Sequence, residues 1–122
     1  MKNIVISITA STSEVKTNKM ELGVAGEHLQ SQFIIDFTDE FIDGTATLEY
    51  KKASGSTGFI ELNKGDKVYS AGVIEELTKE QQEIKFQVKI VQEATETGTP
   101  IFKSKVFALY VGESINASEV MG

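Results

Sequence analysis

Cysteine, tryptophan and arginine are absent from the 122 residues, and proline and histidine occur once each, at Pro100 and His28. Without Cys there is no disulfide framework and no thiolate metal site, so burial of a core must hold the fold. Without Arg, all 12 basic residues are Lys, set against 18 acidic ones for a net charge of −6. Phosphate-binding surfaces carry a basic excess and favour Arg forks, so nucleic acid is not an expected partner. One imidazole excludes a multi-His metal site within a single chain. No apolar run approaches the roughly 20 residues of a membrane-spanning helix, and no membrane partner is expected. The apolar stretch at residues 4–10 is interrupted by Ser7 and Thr9 and is too short for the core of a secretion signal. The length suits one domain, because two separate cores would each bury too little surface.

What is present favours strands. Val, Ile and Thr account for 33 residues, and apolar residues recur with a period of two. Residues 4–10 place Ile4, Ile6 and Ile8 on one face and Val5, Ser7 and Thr9 on the other. Residues 29–37 align Leu29, Phe33, Ile35 and Phe37, with Ser31 as a polar exception. Residues 45–51 point Ala46, Leu48 and Tyr50 inward and Thr47, Glu49 and Lys51 outward. The clearest alternation, at 83–92, sets Ile84, Phe86, Val88 and Ile90 against Lys85, Gln87 and Lys89. Residues 101–111 carry Phe107, Leu109 and Val111 on one face. Val106, Ala108 and Tyr110 form a second apolar face, which predicts a strand covered on both sides. Shorter strands are predicted at 59–62 and 68–74, and residues 11–19 read as a loop.

Turn residues fall between these runs. Asp43-Gly44 precedes a strand, Gly55 and Gly58 flank a hairpin tip, and Gly65 sits in a third turn. Residues 96–100 separate the two longest runs, which should pair as an antiparallel hairpin. Residues 75–82 alone have a helical composition and predict one short helical turn. Seven or so strands at near-even spacing predict an all-β, antiparallel, two-sheet Ig-like sandwich. Its single domain is expected over 1–117, with a C-terminal extension at 118–122.

No spacing marks a reaction. His28 has no nucleophile or orienting partner beside it, and Glu27 would point to the opposite face of a strand. The acids Asp36, Asp39, Glu40 and Asp43 are interrupted by Phe37, Phe41 and Ile42 and do not follow a Ca²⁺-loop pattern. Gly23 to Gly26 lacks the spacing of a dinucleotide- or phosphate-binding loop and reads as a turn. Lys51-Lys52 reads as a solvated hairpin end. Tyr69 and Tyr110 are the aromatics left as candidate ligand contacts, with edge or interface packing as their plainer role. No catalytic residue, cofactor or metal is expected, and the chain is not expected to be an enzyme.

The stretch at 101–117, IFKSKVFALYVGESINA, has an aromatic-Lys-Ser start, an F-x-L-x-V strand and a terminal S-I-N-A. It resembles the final strand and exit of small tail modules of Firmicutes phages, the N-terminal domains of baseplate upper proteins. The middle is also similar. The hairpin DGTATLEYKKASGSTGFIEL is followed by the Tyr-bearing KVYSAGVI, the polar EELTKEQ and a long I-x-F-x-V-x-I strand. The opening LGVAGEHLQSQFIIDF resembles the family's Gly-Glu lead into a strand. The likeness spans roughly 20–117. It departs in the added strand at 4–10 and in having Gly55 and Gly58 where the family carries a proline at the hairpin tip.

The resemblance implies a structural component of a phage or prophage tail or baseplate, assembled in the bacterial cytoplasm and carried in the virion. Its partners would be other tail proteins and further copies of itself. Edge pairing or apolar burial would supply the contact energy. The candidate interface comprises Ile4, Ile6, Ile8, Val106, Ala108 and Tyr110. Two other classes are distinguishable. A carbohydrate-binding module needs Tyr69 or Tyr110 exposed in a groove, and a secreted Ig-like adhesion domain would share its reading frame with a cell-wall anchor.

Overall fold

The clearest alternating run forms the longest strand, and the six-stranded sheet is organised around it. The computed structural model describes residues 2–25 and 31–112. The strands are β1 (Lys2–Thr9), β2 (Glu14–Thr17), β3 (Glu21–Val24), β4 (Ser31–Phe37), β5 (Thr45–Lys51), β6 (Thr57–Glu61), β7 (Asn63–Lys64), β8 (Val68–Gly72), β9 (Gln82–Val91), β10 (Ile101–Lys103) and β11 (Phe107–Gly112). The short helix α1 (Glu75–Thr78) lies between β8 and β9.

One sheet has the order β2-β1-β4-β8-β7, and the other runs β3-β11-β9-β5-β6 with β10 also paired to β9. Their inner faces make the core of an all-β sandwich. Ile4, Ile6, Ile8, Phe33 and Ile35 from the first sheet meet Leu48, Ile84, Phe86, Val88, Ile90, Leu109 and Val111 from the second, all essentially buried. Phe33 and Phe86 make an edge-to-face contact across the layers, with ring centroids 5.7 Å apart. Leu77 of α1 is fully buried as well, so the helical turn contributes an apolar side chain to the core.

The sheets are mixed, which corrects the expectation of a purely antiparallel sandwich. β1 runs parallel to β4 with Ile4 opposite Phe33 and Ile6 opposite Ile35, and β3 runs parallel to β11. The cause is the path of the chain. After the β1–β2 hairpin the chain crosses to the other sheet as β3, then returns to the first as β4 in the direction of β1. A parallel neighbour requires such a long crossover. The supposed loop at 11–19 contains β2, and Gly23, read as part of a turn, is buried within β3.

The predicted strand at 101–111 is divided by a bulge. Ile101 to Lys103 pair with Val91 to Lys89, whereas Phe107 to Val111 pair with Phe86 to Gln82 one residue out of step. Lys105 and Val106 therefore both stand opposite Gln87, the two-against-one arrangement of a bulge. Ser104, 2% exposed, holds it in place. Its backbone N–H donates to Val88 O (2.9 Å), and its Oγ accepts the Val88 N–H (3.0 Å) and donates to Lys105 O (3.0 Å).

Candidate functional site

Two groups of predicted contact residues belong to the core. Ile4, Ile6 and Ile8 are at most 1% exposed, and their strand is flanked on both edges by β2 and β4, so they offer no surface to a partner. The period-two pattern had placed them on one face correctly, but that face points inward. Tyr69 is also fully buried, which removes it as a ligand platform. Its ring stacks on Phe41 at 5.2 Å, and its hydroxyl donates to Ile42 O (2.6 Å) and accepts the Gly44 N–H (3.1 Å). Burial is the main cause pushing its phenol above the ordinary value. Tyr69 thus pins the 38–44 connection. Gly44 fits there because a Cβ would overlap the Val91 carbonyl oxygen.

The acidic residues of that connection serve it locally. Asp39 accepts the backbone N–H groups of Ala10 (2.7 Å), Ser11 (3.1 Å) and Glu40 (2.8 Å). Hydrogen bonds from Ser11, side chain first and then backbone, hold its carboxyl well below the usual range. Asp43 pairs with Lys64 at 2.6 Å. Among the described residues no three His, Asp or Glu side chains converge as metal ligands. His28 and the predicted extension at 118–122 lie outside the described residues.

The outer face of the six-stranded sheet is different. Alternation and register project Phe59 of β6, Glu49 and Lys51 of β5, Lys85 and Gln87 of β9, and Ala108 and Tyr110 of β11 to this side. The bulge adds Val106. Phe59, Val106 and Tyr110 are 62%, 59% and 52% exposed, and Ile101 of β10 joins them at 54%. The second apolar face of the last strand, predicted to be covered, is therefore open among the described residues. Between Phe59 and Val106 the sheet forms a concavity of about 500 Å³, lined also by Glu49, Lys51, Thr57, Lys85 and Gln87.

The same alternation sets Glu49, Glu61 and Glu83 on this face together with Lys51, Lys85, Lys89 and Lys103. Lys51 stands directly opposite Lys85, and Lys89 directly opposite Lys103. Like charges at directly opposed positions destabilise a sheet. None of the four makes an ion pair with a described residue, whereas Lys52, Lys64, Lys79 and Lys105 each do. Phe59 was missed as a contact residue because the short strand predicted at 59–62 was assigned no inward or outward face. Its register partner Glu49, which faces outward, is the signal that separates Phe59 from the buried Ile60.

Two mixed sheets and one helical turn among the described residues define an all-β sandwich, and one sheet presents an open face of apolar and charged side chains. Among solved structures the chain is similar to the N-terminal domain of phage TP901-1 ORF48. The TM-score is 0.57 with 7% sequence identity, over 92% of this chain and 99% of that one. The likeness is one of fold and extends over nearly the whole of both chains. No protein-family model matches the chain, and no curated protein matches its sequence.

Proposed function

We propose that the chain is a non-enzymatic structural component of a phage or prophage tail or baseplate, working through protein–protein contacts and as more than one copy. The observation that carries this reading is the fold shared with a phage protein's N-terminal domain along 92% of the chain. It agrees with the tail-module resemblance of residues 20–117. The open face of the six-stranded sheet supplies the contact chemistry. Phe59 and Tyr110 are exposed aromatics of the kind enriched at protein interfaces, and Phe59 and Val106 flank the concavity. For the carbohydrate alternative, which needs Tyr69 or Tyr110 in a groove, Tyr69 is buried, and Tyr110, though 52% exposed, does not line the concavity.

The reading is tested on particles. An antibody raised against the chain should label the tail tips of particles released from the encoding host. Deleting the coding sequence should yield particles with an incomplete tail tip. Purified particles that lack the chain by mass spectrometry would overturn the assignment.

A further inference from the structure

The connection between β9 and β10 ends in a self-contained tip. Gln92 N–H donates to Pro100 O (2.9 Å) at its base. Near its end Thr95 N–H donates to Gly98 O (2.7 Å), Gly98 N–H donates to Thr95 O (3.2 Å) and Thr95 Oγ1 donates to Gly98 O (3.0 Å). Gly98 permits the reversal with φ at +137°. Every residue at 93–99 is exposed. The tip carries Glu93 and Glu96 and no lysine, and neither glutamate makes an ion pair with a described residue. It is an exposed, acidic tip ordered by its own hydrogen bonds, with Glu93 at its base lining a shallow hollow beside Asp43 and Lys64.

The outer face of the six-stranded sheet has the complementary form. It is concave, with Phe59 and Val106 at its sides and the opposed Lys51 and Lys85 between them, Glu49 being the one carboxylate that lines the concavity. A tip cannot occupy the concavity of its own chain. It begins beyond Val91, six residues along β9 from Lys85, which at ~3.3 Å per residue is about 20 Å away. We propose that the 93–99 tip of one copy seats in this concavity on a second copy, with Glu93 and Glu96 against Lys51 and Lys85 and with Phe59 and Val106 closing over the tip. Tip and recess are different surfaces, so the contact is head-to-tail and closes into a ring if the rotation permits. An arriving carboxylate relieves the repulsion between Lys51 and Lys85, which ties the charge pattern to assembly. The contact deepens the role proposed above by naming how copies meet, and it rests on that role only for its biological setting.

Charge exchange followed by sedimentation velocity tests it on the whole chain. The unaltered protein should self-associate as its concentration rises. E93K/E96K should weaken that association by at least about tenfold, and so should K51E/K85E, because each places like charges at the contact. Mixing the two variants should restore association, and the four substitutions in one chain should restore self-association. Circular dichroism identifies any variant that fails to fold, in which case K85Q and E96Q replace the reversals and should weaken association without restoring it on mixing. A monomer at millimolar concentration, reversals without effect, or reversed variants that stay apart on mixing would overturn the contact. A chain that is monomeric in solution yet present in purified tails overturns this contact and leaves the tail role standing. Charge-exchangeable assembly by a chain absent from particles supports the contact and overturns the role.

Discussion

Replacing Ser104 with Ala removes one oxygen from a buried turn of chain, and its consequences follow from the bulge. Ser104 Oγ is the acceptor for the Val88 N–H at 3.0 Å, and Val88 lies in the middle of the central strand with no exposure. The Ser104 carbonyl is already taken by the Gln87 side-chain amide at 2.8 Å. The Ala variant therefore loses both Oγ hydrogen bonds: leaving the buried Val88 N–H unpaired costs ~1–3 kcal/mol, and losing the bond to the Lys105 carbonyl adds up to about 1 kcal/mol. The expected loss is about 2–3 kcal/mol. For a domain of this size a kilocalorie lowers Tm by roughly 3–5 °C, so a fall of about 6–15 °C is expected. Urea unfolding followed by far-UV circular dichroism measures the free energy, and the Val88 amide should lose more exchange protection than that of Ile84. A loss below about 0.5 kcal/mol, with Val88 still protected, would refute this account of the bulge.

Two further outcomes follow from the 38–44 connection. Tyr69→Phe keeps the ring stack on Phe41 but leaves the Ile42 carbonyl and the Gly44 N–H without their partner, at a cost of about 2 kcal/mol by chemical denaturation. A variant as stable as the parent would show that Tyr69 does not pin this loop. Asp39 has a folded-state pKa below its ordinary value of 3.8, so its stabilising contribution is complete above that value and is lost as pH falls towards the folded pKa. Asp39→Asn should accordingly lower Tm at neutral pH and flatten the decline of Tm below pH 3.8. Parallel Tm-versus-pH curves for the two proteins would contradict the assignment.

Faces were legible in the sequence, and directions were not. Alternation identified the buried set Ile84, Phe86, Val88 and Ile90, and the Asp43-Gly44 and Gly55 turns, because a period of two reports which side of a strand is wet. It says nothing about which strand lies alongside, so the parallel pairing of β1 with β4 could not be read from either run. Short, mostly polar strands were lost for a related reason. β2 has Val15 as its single aliphatic side chain, and β3 is held in its sheet by pairing with β11 rather than by a pattern of its own. The bulge was hidden because apolar residues on both sides of Lys103, Ser104 and Lys105 let 101–111 read as one strand. The candidate face divides in the same way. Val106, Ala108 and Tyr110 were visible as a second apolar stripe. Phe59, Lys51 and Lys85 come together across three strands through register alone.

That register creates a conflict between stability and assembly, and Lys85 measures it. In the isolated chain Lys85 confronts Lys51 across the β5–β9 ladder. A glutamate at 85 would turn a repulsive pair into an attractive one, and opposed pairs of this kind are worth roughly 0.2–1 kcal/mol. Lys85→Glu should therefore leave the fold intact and raise its unfolding free energy by about 0.5 kcal/mol, with the gain shrinking as salt screens the charges. The same substitution removes a positive charge from the recess and should weaken self-association. Stabilisation together with lost assembly is expected if the opposed lysines are retained for a partner. Destabilisation at low salt would show that the pair is not a source of strain, and the inference from unpaired lysines to a docking face would then lose its basis.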